Sequence, residues 1–327
     1  MQKILITGGA GFVGRHFCRY FLDRGDQVHC VDPIIRGTGG IDPDYWPLFS
    51  PKESINFHYY RQDCRDYFKE HGDDDFDYCL HLAAIVGGRM MIENDPLAIA
   101  DDLSIDSEYW RWALKVRPKK TICFSSSAAY PVQLQRQDNY CLLKEEMISF
   151  GDTIGQPDMS YGWAKLTCEY LAMLAYKEYG LKSVIYRPFS GYGEDQDDHY
   201  PFPSICKRAL TTKDKEVFRV WGTGDQMRDF IHIDDCVRGV IKTMDLVNDA
   251  QAINLSTGIL TSFKEFAGIV TGICGYKPRI IGITDKPSGV FARGGDTAKQ
   301  QAFGFTHSID FRTSIVKALE YYRSTTR

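Results

Sequence analysis

A strand, a glycine-spaced turn and a helix succeed one another within the first two dozen residues, and that succession restricts the fold more than any other feature. The apolar run Lys3–Ile6 leads into Thr7-Gly8-Gly9-Ala10-Gly11-Phe12-Val13-Gly14, and an amphipathic stretch over Val13–Arg24 follows. In a strand-to-helix turn of this kind the first glycine allows the tight bend. The second clears the backbone for an anionic ligand, and the third lets helix and strand pack closely. The helix start then offers free N–H groups and a positive dipole end, which suits a pyrophosphate. A second strand, predicted over Gln27–Val31, ends at Asp32, placed to accept hydrogen bonds from a ribose diol. Its charge repels a 2′-phosphate, so NAD is favoured over NADP. Arg36 is the one nearby residue pointing the other way. Gly8, Gly11, Phe12, Val13, Gly14 and Asp32 are therefore candidate cofactor-binding residues. Asp63 and Cys64, after the third predicted strand, are candidates for the adenine border, and Asp63 reads equally well as an ordinary strand-end acid.

Length and charge bound the rest. With 327 residues the chain fits one large domain or two closely joined ones, and it is long enough to bury a substantial core. A net charge of -4 argues against nucleic acid or an anionic membrane as the main partner. The ten cysteines are scattered, with no CxxC pair and no Cys/His cluster at zinc spacing, so buried reduced thiols are expected and no metal. No apolar run approaches the roughly 20 residues of a membrane span. Met1-Gln2-Lys3 runs straight into the first strand, which reads as a cytoplasmic protein.

Short apolar runs alternate with helical periodicity through the first half, predicting a doubly wound parallel sheet of the Rossmann type covered by helices. Predicted strands are Lys3–Ile6, Gln27–Val31, Ile55–Tyr60, Tyr78–Leu82, Lys120–Phe124 and Ser183–Tyr186. Predicted helices are Val13–Arg24, Leu97–Val116 and Tyr161–Tyr179. Gly191–Pro203 is acidic and rich in turn formers and reads as a loop before a helix at Ser204–Leu210. Arg228–Met244 reads as a short strand and a helix, and Ser314–Arg323 as a closing helix. The expected division is an NAD-binding domain over 1–187 plus about 228–258. A smaller C-terminal substrate lobe takes about 188–227 plus 259–327.

Tyr161 and Lys165 stand at i and i+4, on one face of a helix. An ammonium beside a phenol favours the phenolate, which can remove a hydroxyl proton while a hydride leaves the same carbon. Ser125-Ser126-Ser127, at the end of a predicted strand, supplies a hydroxyl to orient the substrate oxygen.

With these motifs stand His81-Leu82-Ala83-Ala84, Ser125 through Pro131, Arg187-Pro188-Phe189-Ser190-Gly191-Tyr192-Gly193 and Arg228-Asp229-Phe230-Ile231-His232-Ile233-Asp234-Asp235. Together they resemble the extended short-chain dehydrogenase/reductases acting on nucleotide sugars, over essentially the whole chain. Within that family the likeness is nearest to the GDP-mannose 3,5-epimerases and GDP-fucose synthases. It rests on Val86-Gly87-Gly88, Cys206-Lys207-Arg208-Ala209-Leu210, Trp221-Gly222-x-Gly224 and Lys286-Pro287-x-Gly289 with Arg293. The resemblance implies Ser126 as the catalytic hydroxyl, Tyr161 as base and Lys165 as its partner. It implies Leu82, Ala83 and Ala84 against NAD, and Gly87 and Gly88 against the sugar. Ser127 and Ser190 would contact substrate, Arg228 and Arg293 would clamp a pyrophosphate, and a homodimer would form through the helices near Leu97–Val116 and Tyr161–Tyr179. Without the resemblance, each arginine reads as a surface salt bridge.

Two departures bear on the reaction. Two residues beyond Ser126, where the resembled dehydratases carry Glu and the 3,5-epimerases Cys, stands Ala128, which cannot transfer a proton. That subtracts support from dehydration and from the usual 3,5-epimerisation, while inversion at C4 needs no such group. Asp198, His199 and Tyr200 are candidates for a replacement. Ser190 stands where Asn usually contacts the nucleotide, so a GDP-sugar rests on resemblance. The expectation is an NAD-dependent nucleotide-sugar epimerase, with a C4 dehydrogenase or ketoreductase and a 4,6-dehydratase as rivals. An NAD-sensing binding protein is the non-enzyme alternative.

Overall fold

The computed structural model describes residues 1–35, 38–85, 93, 95–213, 215–285 and 289–325. Gly87 and Gly88 therefore lie outside the described residues, as do Arg36, Lys286 and Pro287.

The predicted parallel sheet is present. Its strands are β1 (Lys3–Thr7), β2 (Gln27–Val31), β3 (Phe57–Tyr60), β4 (Tyr78–His81), β5 (Lys120–Phe124), β8 (Ser183–Pro188) and β13 (Asp249–Leu255), a short hairpin supplying β6 (Gln135–Arg136) and β7 (Asn139–Tyr140) between them. The seven-stranded order is β13-β8-β5-β4-β1-β2-β3, with every neighbouring pair parallel. The chain moves outward from β1 to β3 and then returns to the other side of β1 for β4. That reversal opens a crevice at the carboxyl ends of β1 and β4, where ligands of such sheets bind. β5 is buried along its whole length, as a central strand covered on both faces must be.

Helix α1 (Phe12–Asp23) turns Gly14, Phe17, Cys18 and Phe21 to the sheet at helical spacing. Phe17 and Phe21 are fully buried, each worth about 2–3 kcal/mol. Behind the sheet run α2 (Cys64–Glu70), α3 (Ile99–Val116) and α4 (Met159–Tyr179), and α3 packs along α4. Asp63 caps α2 by accepting the Arg65 N–H at 2.8 Å and is ion-paired to Arg65. A seven-residue helix carries too little periodicity to be read from sequence.

A second apolar cluster lies beyond β8. It joins Phe202, Phe218, Phe266, Ile315 and Tyr322, from α5 (Pro201–Thr211), β10 (Val217–Trp221), α7 (Phe263–Ile273) and α8 (Phe311–Thr325). Three short pieces connect it to the sheet: β9 (Ser190–Tyr192), β11 (Met227–Arg228) and β12 (Phe230–His232), the last leading into α6 (Ile233–Thr243). The stretch predicted as a loop, Gly191–Pro203, is in part ordered: β9 pairs with β12, and α5 already starts at Pro201. Proline at a first helical position suits its fixed φ, so Pro201 marks a start where turn formers suggested a loop. The edge strand β13 escaped the sequence reading because polar Asp249, Gln251 and Asn254 break its apolar pattern. Among the described residues no helix is long and apolar enough to cross a membrane, and no group of three or more His, Cys, Asp or Glu is arranged to hold a metal.

Candidate functional site

One crevice runs from the glycine loop to α4 and gathers most of the residues singled out above. Gly8, Gly11, Phe12, Val13, Gly14, Asp32, Asp63, Cys64, Leu82, Ala83 and Ala84 line it, and so do Tyr161 and Lys165. Its floor leaves no space for side chains. Gly8 has φ +71°, and a Cβ there would fall 2.7 Å from the Ala83 nitrogen. A Cβ on Gly14 would fall 2.3 Å from the Gly8 carbonyl oxygen. Asp32 accepts N–H bonds from Ala10 at 3.1 Å and Ile34 at 2.8 Å. Burial pushes its carboxyl up, and those backbone donors oppose the push. A cradle that a single Cβ would fill, closed by an anchored acid, fits a dinucleotide such as NAD. The glycine loop would hold its pyrophosphate and Asp32 its ribose.

Beneath the crevice the sheet is braced by a polar row. Thr7 Oγ1 lies 2.8 Å from His81 Nδ1, and His81 Nε2 lies 3.1 Å from Asp106 on α3. The His81 ring stacks on Tyr109 at 3.9 Å. Burial holds the His81 pKa down, with Asp106 pulling it back up. Asp102, one turn earlier on α3, accepts the Ile85 N–H at 2.5 Å and so fixes the strand leaving β4. Burial raises its carboxyl to about 6, with the Lys165 ammonium working the other way.

Tyr161 and Lys165 sit in the first two turns of α4, with the Lys165 Nζ 5.7 Å from the Tyr161 ring centre. The helix docks directly on the turn that carries the serines. Asp158 N–H donates to the Ala128 carbonyl at 2.9 Å, and a Cβ on Gly162 would stand 2.3 Å from that same oxygen. Ser126 caps the turn by accepting the Ala128 N–H at 3.1 Å, and it acts on the Tyr161 phenol in favour of the ionised form. Ser127 is buried in the turn. The lysine-driven lowering expected for Tyr161 is outweighed: burial pushes the phenol up, against the pull of Lys165 and Ser126. Lys165 stays charged, because Tyr161, Asp106 and Asp102 outweigh the cost of its own burial.

The substrate-side candidates are less gathered. Ser190 opens β9, its N–H donating to the Asp229 carbonyl at 2.9 Å. Arg228 and Arg293 stand opposite each other in register across β11 and β14 (Ala292–Arg293). Arg293 donates to Gln135 Oε1 at 2.7 Å and pairs with Asp158 at 2.6 Å. Arg228 donates to the Met227 and Val290 carbonyls at 2.7 and 3.0 Å. Neither arginine lines the crevice, and neither do Ser126, Ser127 or Ser190. His199 is exposed and bonded to Asp197, and Asp198 pairs with Lys207. Tyr200 alone of those three lines the crevice, and burial raises its phenol, Tyr161 adding to the rise.

Several lining residues escaped the sequence reading, among them Ile105, Gln196 and Asp197. The loop bearing the last two is held by a buried pair of contacts to α1: Arg15 Nε to Asp195 Oδ2 at 2.6 Å, and His16 Nε2 to Asp195 Oδ1 at 2.9 Å. No local pattern signals a contact between residues that far apart in the chain.

A model of the NAD dependent epimerase/dehydratase family matches residues 4–256. The chain belongs to that family. NAD is accordingly its cofactor, and it is an enzyme of the extended short-chain dehydrogenase/reductase type. Among curated proteins it is similar to GDP-L-colitose synthase of Yersinia pseudotuberculosis, with 24% identity covering 98% of both chains. It is also similar to GDP-L-fucose synthase of Escherichia coli (strain K12), with 23% identity over 98% of this chain and 96% of that one. Among solved structures, UDP-glucose 4-epimerase of Thermotoga maritima superposes with a TM-score of 0.83 at 23% identity, covering 99% of this chain and 100% of that one. A dTDP-glucose 4,6-dehydratase of Streptomyces venezuelae gives 0.83 at 19% identity, covering 99% and 97%. At these identities the structural likeness speaks for the Rossmann-type fold.

Proposed function

We propose that this family member is an NAD-dependent nucleotide-sugar epimerase working through a 4-keto intermediate, with a GDP-sugar as preferred substrate. The observation that carries the reading is that Tyr161 and Lys165 share one crevice with the glycine loop, while Ala128 is buried beside Ser126. The glycine loop and Asp32 would hold NAD, which would supply reversible hydride transfer at the substrate carbon. Tyr161 takes the proton from the C4 hydroxyl. Ser126 holds that oxygen, and the Lys165 ammonium stabilises the phenolate. The methyl of Ala128 moves no proton at C3 or C5, so the ketone turns over and receives the hydride on its other face.

Arg228 and Arg293 are the proposed diphosphate clamp. Two guanidinium forks side by side match phosphate oxygens, and a diphosphate would compete with Asp158 for Arg293. Gly87, Gly88, Ser127 and Ser190 are the proposed sugar and nucleotide contacts. The GDP preference is supported by the names of the two curated relatives. A cytoplasmic homodimer is the proposed form. Trp163 and Tyr170 of α4 are 49% and 42% exposed, and Leu103 of α3 is 39% exposed, which suits a helix-on-helix interface.

A second reading rests on Tyr200. Its phenol lines the crevice near Tyr161, where it is able to exchange a proton at C3 or C5 in place of the missing acid.

The test is a panel of GDP-, UDP-, CDP- and dTDP-sugars in deuterated water, with products followed by NMR. Inversion at C4 without deuterium uptake is the expected outcome. Deuterium at C3 or C5 that disappears in Tyr200→Phe establishes the second reading, and loss of water overturns both.

A further inference from the structure

The row of side chains bearing Tyr161 and Lys165 has a third member. Glu169 stands one helical turn beyond Lys165 on α4 and is buried, 1% exposed. Arg187 of β8, 2% exposed, meets its carboxylate with two bonds: Nε to Oε1 at 2.9 Å and Nη2 to Oε2 at 2.6 Å. The Ser125 hydroxyl donates to the same Oε1. Arg187 Nη1 also donates to the Tyr130 hydroxyl oxygen and the Glu145 carbonyl, both at 3.0 Å. Ser125 is thus held on two sides, because its own N–H donates to the Tyr186 carbonyl of β8 at 2.8 Å.

A buried ion pair is a weak source of stability, since desolvation offsets most of the attraction, and apolar residues of similar size would pack as well. What a planar fork adds is direction. Two parallel bonds between Arg187 and Glu169 fix the rotation and depth of α4 against β8. The third bond, from Ser125, fixes the end of β5 against the same helix face. Ser126, the next residue, is close enough to Tyr161 to favour its phenolate.

We propose that Glu169 and Arg187 are positioning residues for the reaction: the pair locks α4 and, through Ser125, sets Ser126 where its hydroxyl and the Tyr161 phenol address one substrate oxygen. The proposal rests on Tyr161 being the base. Misplacement by about 1 Å costs such an arrangement roughly a hundredfold in rate.

The groups facing the Tyr161 phenol are Lys165 on its own helix, Asp102 and Asp106 from α3, Ser126 from the end of β5 and Tyr200 from the loop before α5. None is altered in the test variants, so a change in the phenol reports geometry. The variants are Ser125→Ala, which leaves the ion pair intact, Glu169→Gln, which keeps the shape and removes the charge, and Arg187→Lys, which keeps the charge and removes the fork. The protein carries bound NAD and tyrosine labelled with carbon-13 at Cζ, and Tyr161 is assigned by the resonance lost in Tyr161→Phe. Ser126 favours the phenolate, so displacing it moves the Tyr161 titration to higher pH in all three variants. With GDP-mannose and UDP-glucose as probes, turnover on whichever reacts falls by roughly ten- to a hundredfold, KM and NAD affinity changing about twofold or less. Ser125→Ala keeps the wild-type melting temperature and decides the matter if the charged variants do not fold. An unchanged Tyr161 resonance and titration in Ser125→Ala, with any folded charged variant behaving alike, overturns the proposal. Full turnover in Tyr161→Phe overturns the base assignment instead, and the tyrosine resonance still reports the positioning.

Discussion

The two walls of the crevice are built differently. The wall facing the cofactor is drawn from the first 84 residues, where strand, turn and acid follow each other closely, and its shape is set by backbone. The wall proposed to face the sugar draws on a helix at 159 and a loop at 195, and outside it stand the serine turn near 126 and the paired strands at 228 and 293. Its charged groups are already engaged with the protein, Arg293 with Asp158 above all. The first wall is rigid and generic, which suits a cofactor shared across a family. The second is held by side-chain contacts, which a few substitutions can redirect.

The largest effect is expected on the cofactor wall. In Gly14→Ala the new Cβ would lie 2.3 Å from the Gly8 carbonyl oxygen and 2.6 Å from the Gly9 Cα, and backbone cannot swing aside. A loss of about 3 kcal/mol of stability is expected, and NAD binding with it. Thermal unfolding and an NAD titration check this, and a variant that melts and binds like wild type breaks the contrast between the walls. Asp102 braces the same wall at a cost. Its folded carboxyl titrates at about 6 against 3.8 for the free side chain, so its ionised form destabilises the fold. The cost is full above about pH 6 and fades as pH falls toward 3.8. Relative to Asp102→Asn, the wild type should gain up to about 3 kcal/mol on acidification across that window, measured by urea unfolding. A pH-independent difference between the two contradicts the burial argument.

On the sugar wall the changes should be smaller and selective. Arg293→Ala should weaken binding of GDP and UDP by about 2 kcal/mol, that is by ten- to a hundredfold, with NAD affinity unchanged. Asp158→Asn is the control for the lost pair. Equal loss of NAD and nucleotide binding means that the arginine only supports the fold. The smallest effect belongs to His199→Ala. That side chain is 74% exposed and bonded to Asp197, so turnover should stay within about twofold. A tenfold loss would bring the loop histidine into the chemistry.

The same contrast governed how far the sequence was legible. The glycine loop, Asp32 and the strands up to Tyr186 are local patterns, and all were found, Gln27–Val31 and Lys120–Phe124 with the ends expected and the others within two residues. The Tyr161–Lys165 pair was legible from helical spacing. Asp63 left two readings open, and the structure shows it capping α2 while also lining the crevice. What escaped depends on distant partners: β13 with its polar edge, the tie from Arg15 and His16 to Asp195, and the Glu169–Arg187 fork. The balance at Tyr161 escaped for a related reason, because spacing reveals the neighbouring lysine and only the fold reveals the burial that outweighs it.

Under the proposed function Tyr161 moves the proton, while the cofactor wall holds NAD without it. Tyr161→Phe, loaded with NAD and mixed with the nucleotide sugar that wild type converts, tests both halves in one sample. NAD should bind within about twofold of wild type, while appearance of the reduced-nicotinamide absorbance and product formation fall on the order of a thousandfold. Turnover near the wild-type rate in a variant that keeps its NAD would contradict the account.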